Sequence, residues 1–214
     1  MSLIDISDHT VNRTIVLDDV HNAVDEEVSI FNLGRTDDPW HNNDVEPLPA
    51  DIADRFPFNA GDLLVSYRHL NLVYVLDPET LQTKWWTNDY TGGQHDPDWE
   101  PDGTISVYDN RALGKRGKFS TVQKYDLNVA EPELALDGRD YGFYSGIGGK
   151  HTLFDDGSIL ALSYGQGRVL WVGPDKDVRF EFVNLYDDNE TLAILNTGYL
   201  PADYFDVEIT APCN

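Results

Sequence analysis

Three histidines recur at similar intervals, and each lies at the start of a stretch that reads as a β-strand. His41 opens "HNNDVEPL", His95 lies in "QHDPDWEPDG" and His151 lies in "GKHTLFDDG", so the intervals are 54 and 56 residues. A neutral imidazole is a competent nucleophile near neutral pH, and imidazole also gives or takes protons in that range. One histidine near a strand start is more often structural, but three in register favour a shared site.

The segments between these histidines are typical of strands. They are short, rich in β-branched and aromatic residues, and bounded by Gly, Asp, Asn or Pro. The sequence therefore predicts an all-β fold. The segments include "DLLVSYRHL", "NLVYVLD", "TKWWTN", "TISVYDN", "STVQKYDL", "SILALSY", "RVLWVG" and "VRFEFVNL".

A loose internal repeat organises these strands. Each unit has a histidine-bearing strand, an acidic turn, two apolar strands and a final strand, which is the pattern of a β-propeller blade. We expect a single β-propeller domain with about four blades, counting partial ones, and N-terminal blades missing. Its ring would be completed by something outside this chain, self-association being one way. The units are residues 1–37 (partial), 38–90, 91–138, 139–184 and 185–214 (partial).

The charge balance excludes two classes of partner. The chain of 214 residues has 38 acidic and 15 basic residues, for a net charge of -23. Binding to phosphates depends on Lys and Arg, so we expect neither nucleic acid nor an anionic membrane as a partner. No long apolar window and no export signal is visible, which favours a soluble chain. The acidity itself is typical of a solvated surface.

Three motifs carry a resemblance to a known family. "WHNNDVEPL", then "GDLLVSYRHLNLVYVLDPETLQTKWW", then "GGQHDPDWEPDGTISVYDN" resemble the His-x-Asn, Ser-x-Arg and Gln-His strands of the bacterial-type arylsulfotransferases. The match is close over about residues 38 to 112, and thinner to about 205. The order of three motifs at blade spacing is more specific than any one of them.

The resemblance implies a six-bladed propeller and a ping-pong transfer of a sulfuryl group from a phenolic sulfate ester to an acceptor phenol. It needs no nucleotide sulfate donor and no cofactor. His95 would be the nucleophile that becomes sulfohistidine, and His41 would give or take the phenolic proton. Asn43 and Arg68 would bind the sulfuryl oxygens. Family enzymes are typically exported, which suggests a periplasmic or extracellular site, although the chain shows no signal peptide.

Three further residues are candidates for contact with the substrate. His151 occupies the third repeat position, and Trp99 or Tyr144 could stack on an aryl ring. The tryptophans have a simpler interpretation, which is packing between blades. The spacing of acidic residues from Asp98 also matches a calcium loop. However, Pro101 and Gly103 predict a hairpin turn there rather than helices, so we expect no metal site.

A second hypothesis belongs to another functional class. The missing blades, and the lack of a further motif histidine ahead of His41, favour a non-catalytic propeller that only binds a ligand or a protein. Stoichiometric binding of aryl sulfates without labelling of His95 would be typical of such a module, whereas sulfation over many turnovers would identify the enzyme.

Overall fold

The computed structural model describes residues 2–4, 11–14, 38, 40–111, 118–201 and 204, and it confirms the all-β class. Within these residues helix is limited to short 3-10 turns at Ala53–Arg55, Arg68–Leu70 and Gly138–Tyr141. The rest of the ordered secondary structure is antiparallel β-sheet. In the described part of the chain, no helix has the length and apolarity to cross a membrane.

Three sheets contain four strands each, and consecutive strands pair in every sheet. A two-stranded sheet, β1 (Ser2–Ile4) with β2 (Val11–Thr14), precedes them. The other residues of the predicted partial unit 1–37 lie outside the described residues. The first large sheet contains β3 (Asn42–Pro47), β4 (Leu63–Tyr67), β5 (Leu72–Leu76) and β6 (Thr83–Thr87). The second contains β7 (His95–Trp99), β8 (Ile105–Asp109), β9 (Thr121–Tyr125) and β10 (Glu133–Asp137). The third contains β11 (Lys150–Leu153), β12 (Ile159–Ser163), β13 (Arg168–Val172) and β14 (Val178–Val183).

The middle strands are buried on both faces, which explains their sequences. Every residue of β4, β5, β8 and β12 is buried. A strand covered on both sides needs apolar residues at successive positions rather than in alternation. "LLVSY" and "LVYVL" follow that rule, whereas β14 at the outer edge is almost entirely exposed.

Apolar side chains from neighbouring sheets form the core. One cluster joins the first and second sheets, with Val73 and Val75 on one side and Val107 and Trp99 on the other. A second cluster joins the second and third sheets through Tyr108, Phe143, Ile159 and others. Burial of such surface contributes about 25 cal/mol per Å² to folding. Packing of sheet face on sheet face therefore fixes where each inner strand lies.

The first strands of the three sheets contact one another in sequence, β3 with β7 and β7 with β11. Both β3 and β7 carry an irregularity near the N-terminal end, between Asn42 and Asp44 and between His95 and Pro97. His41 and Asp96 have positive φ angles of 47° and 51°. Bulges often occur beside active sites because they redirect side chains. His41 directly precedes the irregular end of β3, and His95 is the first residue of β7.

The acidic segment that matched a calcium loop is a hairpin turn. Glu100 N–H donates to the Thr104 carbonyl at 2.9 Å, and Gly103 N–H donates to the Glu100 carbonyl at 3.0 Å. Gly103 has φ +86°, the left-handed conformation that closes such turns. The predicted turn at Pro101 and Gly103 is confirmed.

Gly149 is the glycine whose replacement should disturb the link between the second and third sheets. Its φ is +140°, and an added Cβ would lie 2.4 Å from Cε1 of Tyr108, whose ring is fully buried. We expect Gly149→Ala to lower the free energy of unfolding by about 1–3 kcal/mol or more, as overpacked cores do. Urea unfolding followed by fluorescence measures it.

The control is Gly198→Ala, because a Cβ at Gly198 meets no atom within 4 Å. Equal stability of the two variants would contradict this account of the junction between the sheets.

Candidate active site

Gln94 and Asp109 hold the segment that leads into His95. Gln94 is fully buried, and its Nε2 donates to Ser66 Oγ at 3.0 Å and to the Leu72 carbonyl at 3.1 Å. Asp109 Oδ1 accepts a hydrogen bond from Gly92 N–H at 2.8 Å. The glutamine of the Gln-His motif therefore anchors β7 to the first sheet, and the histidine next to it lies at the candidate site.

A buried asparagine defines the protonation of His95. Asn110 is fully buried, and its Nδ2 donates to the carbonyls of Ser145 and Gly148 at 2.9 and 2.6 Å. Its Oδ1 is thereby left to accept, and it lies 2.7 Å from His95 Nδ1. His95 Nδ1 therefore carries the proton, and the lone pair is on Nε2. Gly148 N–H donates a hydrogen bond to that Nε2 at 3.3 Å.

His41 is oriented by a carboxylate and by a second imidazole. Its Nδ1 forms a very short contact with Asp38 Oδ2, and its backbone N–H donates to Asp38 Oδ1 at 3.1 Å. The ring stacks on His69 with centroids 4.6 Å apart. His69 Nδ1 in turn lies 2.7 Å from the Asp38 carbonyl. A carboxylate on Nδ1 leaves Nε2 of His41 to exchange protons, as in other acid–base histidines.

Arg68 begins the short 3-10 turn that follows β4, and the turn brings it beside His41. Its backbone N–H donates to the His41 carbonyl at 3.0 Å. Its guanidinium donates to the Gly146 carbonyl at 3.4 Å. The Ser-x-Arg motif therefore connects His41 of the first sheet to the loop, residues 142–149, that passes beside His95.

Asn43 and Tyr144 also lie at this end of the sheets. Asn43 Nδ2 donates to the Gln94 carbonyl at 2.7 Å, next to His95, and its buried Oδ1 has no hydrogen-bond partner. The hydroxyl of Tyr144 lies against Gly146, where an added Cβ would be 3.0 Å from it. The structure thus brings five predicted site residues together: His41, Asn43, Arg68, His95 and Tyr144.

His151 and Trp99 are placed elsewhere. Trp99 lies at the far end of β7 from His95, about 13 Å along a strand of this length, and packs edge-on against Phe56. The side chain of His151 is fully buried and faces Asp96 and Ser106. Neither residue contacts His95 through a hydrogen bond or a ring contact that the structure describes.

The surroundings of His95 favour its neutral form. Burial lowers the pKa of His95 below its ordinary value, and the positive charges of Arg68 and His41 act in the same direction. The hydrogen bond to Asn110 opposes them without reversing the shift. At pH 7 the imidazole is therefore neutral, with a lone pair on Nε2 that accepts from Gly148 N–H, and it takes up a proton only in more acidic solution.

A comparison with models of known protein families decides the family. The model for Arylsulfotransferase (ASST) matches residues 3–185. The chain belongs to the arylsulfotransferase family. The comparison with curated proteins found no match.

Membership of the arylsulfotransferase family is consistent with what this arrangement can do chemically. A neutral histidine can act as a nucleophile, and an arginine can bind an anionic group. A second histidine, held by a carboxylate, can exchange protons. A set of this kind suits transfer of an anionic group between oxygen acceptors through a covalent intermediate.

Sequence reasoning missed three residues that organise the site, namely Asp38, His69 and Asn110. Asn110 ends the segment "TISVYDN". An asparagine directly after an apolar strand was the signal that could have identified it. Asp38 precedes His41 by three residues, which is compatible with side-chain contact but too common to be diagnostic. His69 had no signal, because its contact with His41 joins two different turns.

The effect of Arg68 on His95 gives a prediction about pH. Arg68→Gln removes a positive charge that lowers the pKa of His95, so we expect that pKa to rise. NMR titration of the histidine ring signals measures it.

The matched control is Arg179→Gln, which removes the same charge from the outer strand β14, where Arg179 pairs with Asp156. An unchanged or lower His95 pKa in Arg68→Gln would contradict the electrostatic account.

Proposed function

We propose that this arylsulfotransferase moves a sulfuryl group from a phenolic sulfate ester to an acceptor phenol through a sulfohistidine at His95, without a nucleotide sulfate donor. The observation that carries the proposal is the hydrogen bond from His95 Nδ1 to the buried Asn110 Oδ1, which leaves Nε2 as the nucleophilic atom. The family match supports the general reaction.

In the first half-reaction, the Nε2 lone pair of His95 forms a bond to sulfur while the ester S–O bond breaks. The phenolate oxygen receives a proton from Nε2 of protonated His41, whose other nitrogen is held by Asp38. Positive charge that develops on the His95 ring is stabilised through Nδ1–H and Asn110. The phenol leaves, and the sulfuryl group stays on His95.

Charge on the sulfuryl oxygens is met by donors at the same end of the sheets. Arg68 supplies a guanidinium, which suits planar anionic groups. Gly148 N–H already faces Nε2 at 3.3 Å and is placed to donate to a sulfuryl oxygen once the N–S bond forms. Asn43 Nδ2 donates one of its two hydrogens to the Gln94 carbonyl and has the other for a sulfuryl oxygen. Donors fixed before reaction cost little reorganisation during it.

In the second half-reaction, an acceptor phenol occupies the position that the first phenol left. Neutral His41 takes the phenolic proton, the phenol oxygen attacks sulfur, and the N–S bond returns its electron pair to His95. Tyr144 is the aromatic residue near this position that is available for stacking on either ring. Use of one pocket for both half-reactions makes the mechanism ping-pong.

The proposal includes a propeller arrangement of the three sheets, with β3, β7 and β11 lining a central channel. The serial contacts of these first strands support it. We propose that further blades from a second copy of the chain complete a closed ring. Exposed apolar residues of β14, the outer strand of the third sheet, support this. Val178, Phe180 and Phe182 on that strand are 47%, 51% and 49% exposed, which is more apolar exposure than an isolated surface strand favours.

The central test is turnover with p-nitrophenyl sulfate and an acceptor phenol. We expect release of p-nitrophenol with one sulfated acceptor per event, and loss of this activity by at least about 10³-fold in His95→Asn, because no nucleophile remains. Asparagine keeps a polar side chain, and the unfolding midpoint checks the fold.

The Arg179→Gln variant should retain full activity. Turnover unchanged by His95→Asn would overturn the assigned role. Binding of aryl sulfate with no turnover in the wild-type chain would favour a non-catalytic binding module.

The role of His41 predicts a dependence on the leaving group. His41→Gln should slow transfer from phenyl sulfate by about 10²–10⁴-fold, the range of general acid catalysis. Transfer from p-nitrophenyl sulfate should slow much less, because p-nitrophenolate leaves readily without a proton. Initial rates with the two donors and one acceptor measure this, and equal losses would contradict proton donation by His41.

A further inference from the structure

A second group of chemically active side chains lies between β7 and β11, toward the other end of β7 from His95. It surrounds a cavity of about 360 Å³ whose lining includes Glu46, Asp96, Asp98, Glu100, Lys150 and His151. Asp96 and Asp98 come from the second sheet, and His151 comes from the third. None of these residues has a role in the proposed transfer reaction.

One ring nitrogen of His151, which lines this cavity, has no hydrogen-bond partner. Ser106 Oγ donates its proton to Glu100 Oε1 at 2.5 Å, so it accepts from His151 Nε2–H at 2.7 Å. The side chain of His151 has no exposed surface, and Nδ1 has no hydrogen-bond partner. Nδ1 lies 3.3 Å from Asp96 Oδ2 without the alignment of a hydrogen bond. A buried nitrogen of this kind costs free energy unless something binds it.

The separations between the three side chains Asp96, Asp98 and His151 suit a shared ion. Asp96, Asp98 and His151 each offer a ligand atom, and these atoms lie within 4.8 Å of one another. Two ligands of one ion, each about 2.0–2.2 Å from it, are about 3 to 4.4 Å apart for angles between 90° and 180°. Small side-chain rotations therefore bring all three ligands onto one ion.

The charges around the cavity are unbalanced. Four carboxylates line it, those of Glu46, Asp96, Asp98 and Glu100, against one lysine. Lys150 Nζ pairs with Asp96 Oδ1 at 2.6 Å, and Asp98 Oδ2 lies 3.6 Å from His151 Nε2. Carboxylates this close repel one another when ionised, and a divalent cation would offset that repulsion.

We propose that Asp96, Asp98 and His151 bind one divalent transition-metal ion of the Zn²⁺ or Mn²⁺ class, which links the second and third sheets. The mixed donor set selects this class, because imidazole suits transition metals whereas Ca²⁺ and Mg²⁺ prefer oxygen ligands. The ion has a structural role: it joins β7 to β11 and compensates the buried carboxylates. The site is distinct from the calcium-loop pattern, whose turn residues do not take part.

The test is a calorimetric titration of the untagged, chelator-treated chain with ZnCl₂ and with MnCl₂. High salt in the buffer screens the acidic surface. We expect one ion per chain and a higher unfolding midpoint when the ion is bound. Asp98→Asn and His151→Gln should weaken binding by at least about 10-fold. Loss of a residue that only hydrogen-bonds to a metal ligand already weakens metal affinity by about that factor.

The matched control is Asp38→Asn, because Asp38, His41 and His69 form the other group that could hold a metal ion. This variant should bind Zn²⁺ as tightly as the wild-type chain. Because His151 is fully buried, Asp98→Asn decides the question if His151→Gln does not fold. The Asp98 side chain is 29% exposed, and the change preserves its shape.

Absence of binding to the folded wild-type chain would overturn the proposal. So would unchanged affinity in Asp98→Asn, or loss of the ion in Asp38→Asn, which would place it at the other group. The titration contains no sulfate ester, so its result does not depend on whether His95 transfers sulfuryl groups.

Discussion

The buried amide of Asn110 is the constraint on which the candidate site depends. One side chain at the end of β8 fixes the proton of His95 on Nδ1 and also holds the carbonyls of Ser145 and Gly148. His95 in the second sheet and the loop that leads to the third sheet are therefore placed by the same group. A buried amide with one acceptor and two donors satisfied in this way has little freedom to rotate.

The three motifs of the family interlock around that constraint. Gln94 of the Gln-His motif donates to Ser66 of the Ser-x-Arg motif, and its carbonyl accepts from Asn43 of the His-x-Asn motif. Ser66 and Gln94 are fully buried, whereas Arg68 and His95 in the same two motifs are half-buried. These two motifs therefore each pair an anchoring residue with a candidate site residue. Acidic residues of β7 line a separate cavity. His95 and the proposed metal site therefore lie toward opposite ends of β7.

The strands and their type could be predicted because burial on both faces leaves runs such as "LVYVL" in the sequence. The regular spacing of the histidine-bearing strands predicted a shared site for His41 and His95, whereas Arg68 could be added only through the family resemblance. Trp99 packs between the first and second sheets, in line with the simpler interpretation of the tryptophans. The placement of His151 could not be predicted, because its position in the repeat does not say which way its side chain faces on β11. Asp38 and His69 reach His41 through turn geometry that leaves no periodic signal.

The most direct test of covalent transfer at His95 is the intact mass of the folded chain after incubation with p-nitrophenyl sulfate in the absence of an acceptor. Peptide mapping under conditions that preserve sulfohistidine then locates any adduct. The account predicts a gain of one sulfuryl group on the peptide that contains His95. No adduct on a chain shown to be folded, or an adduct on a different residue, would contradict it.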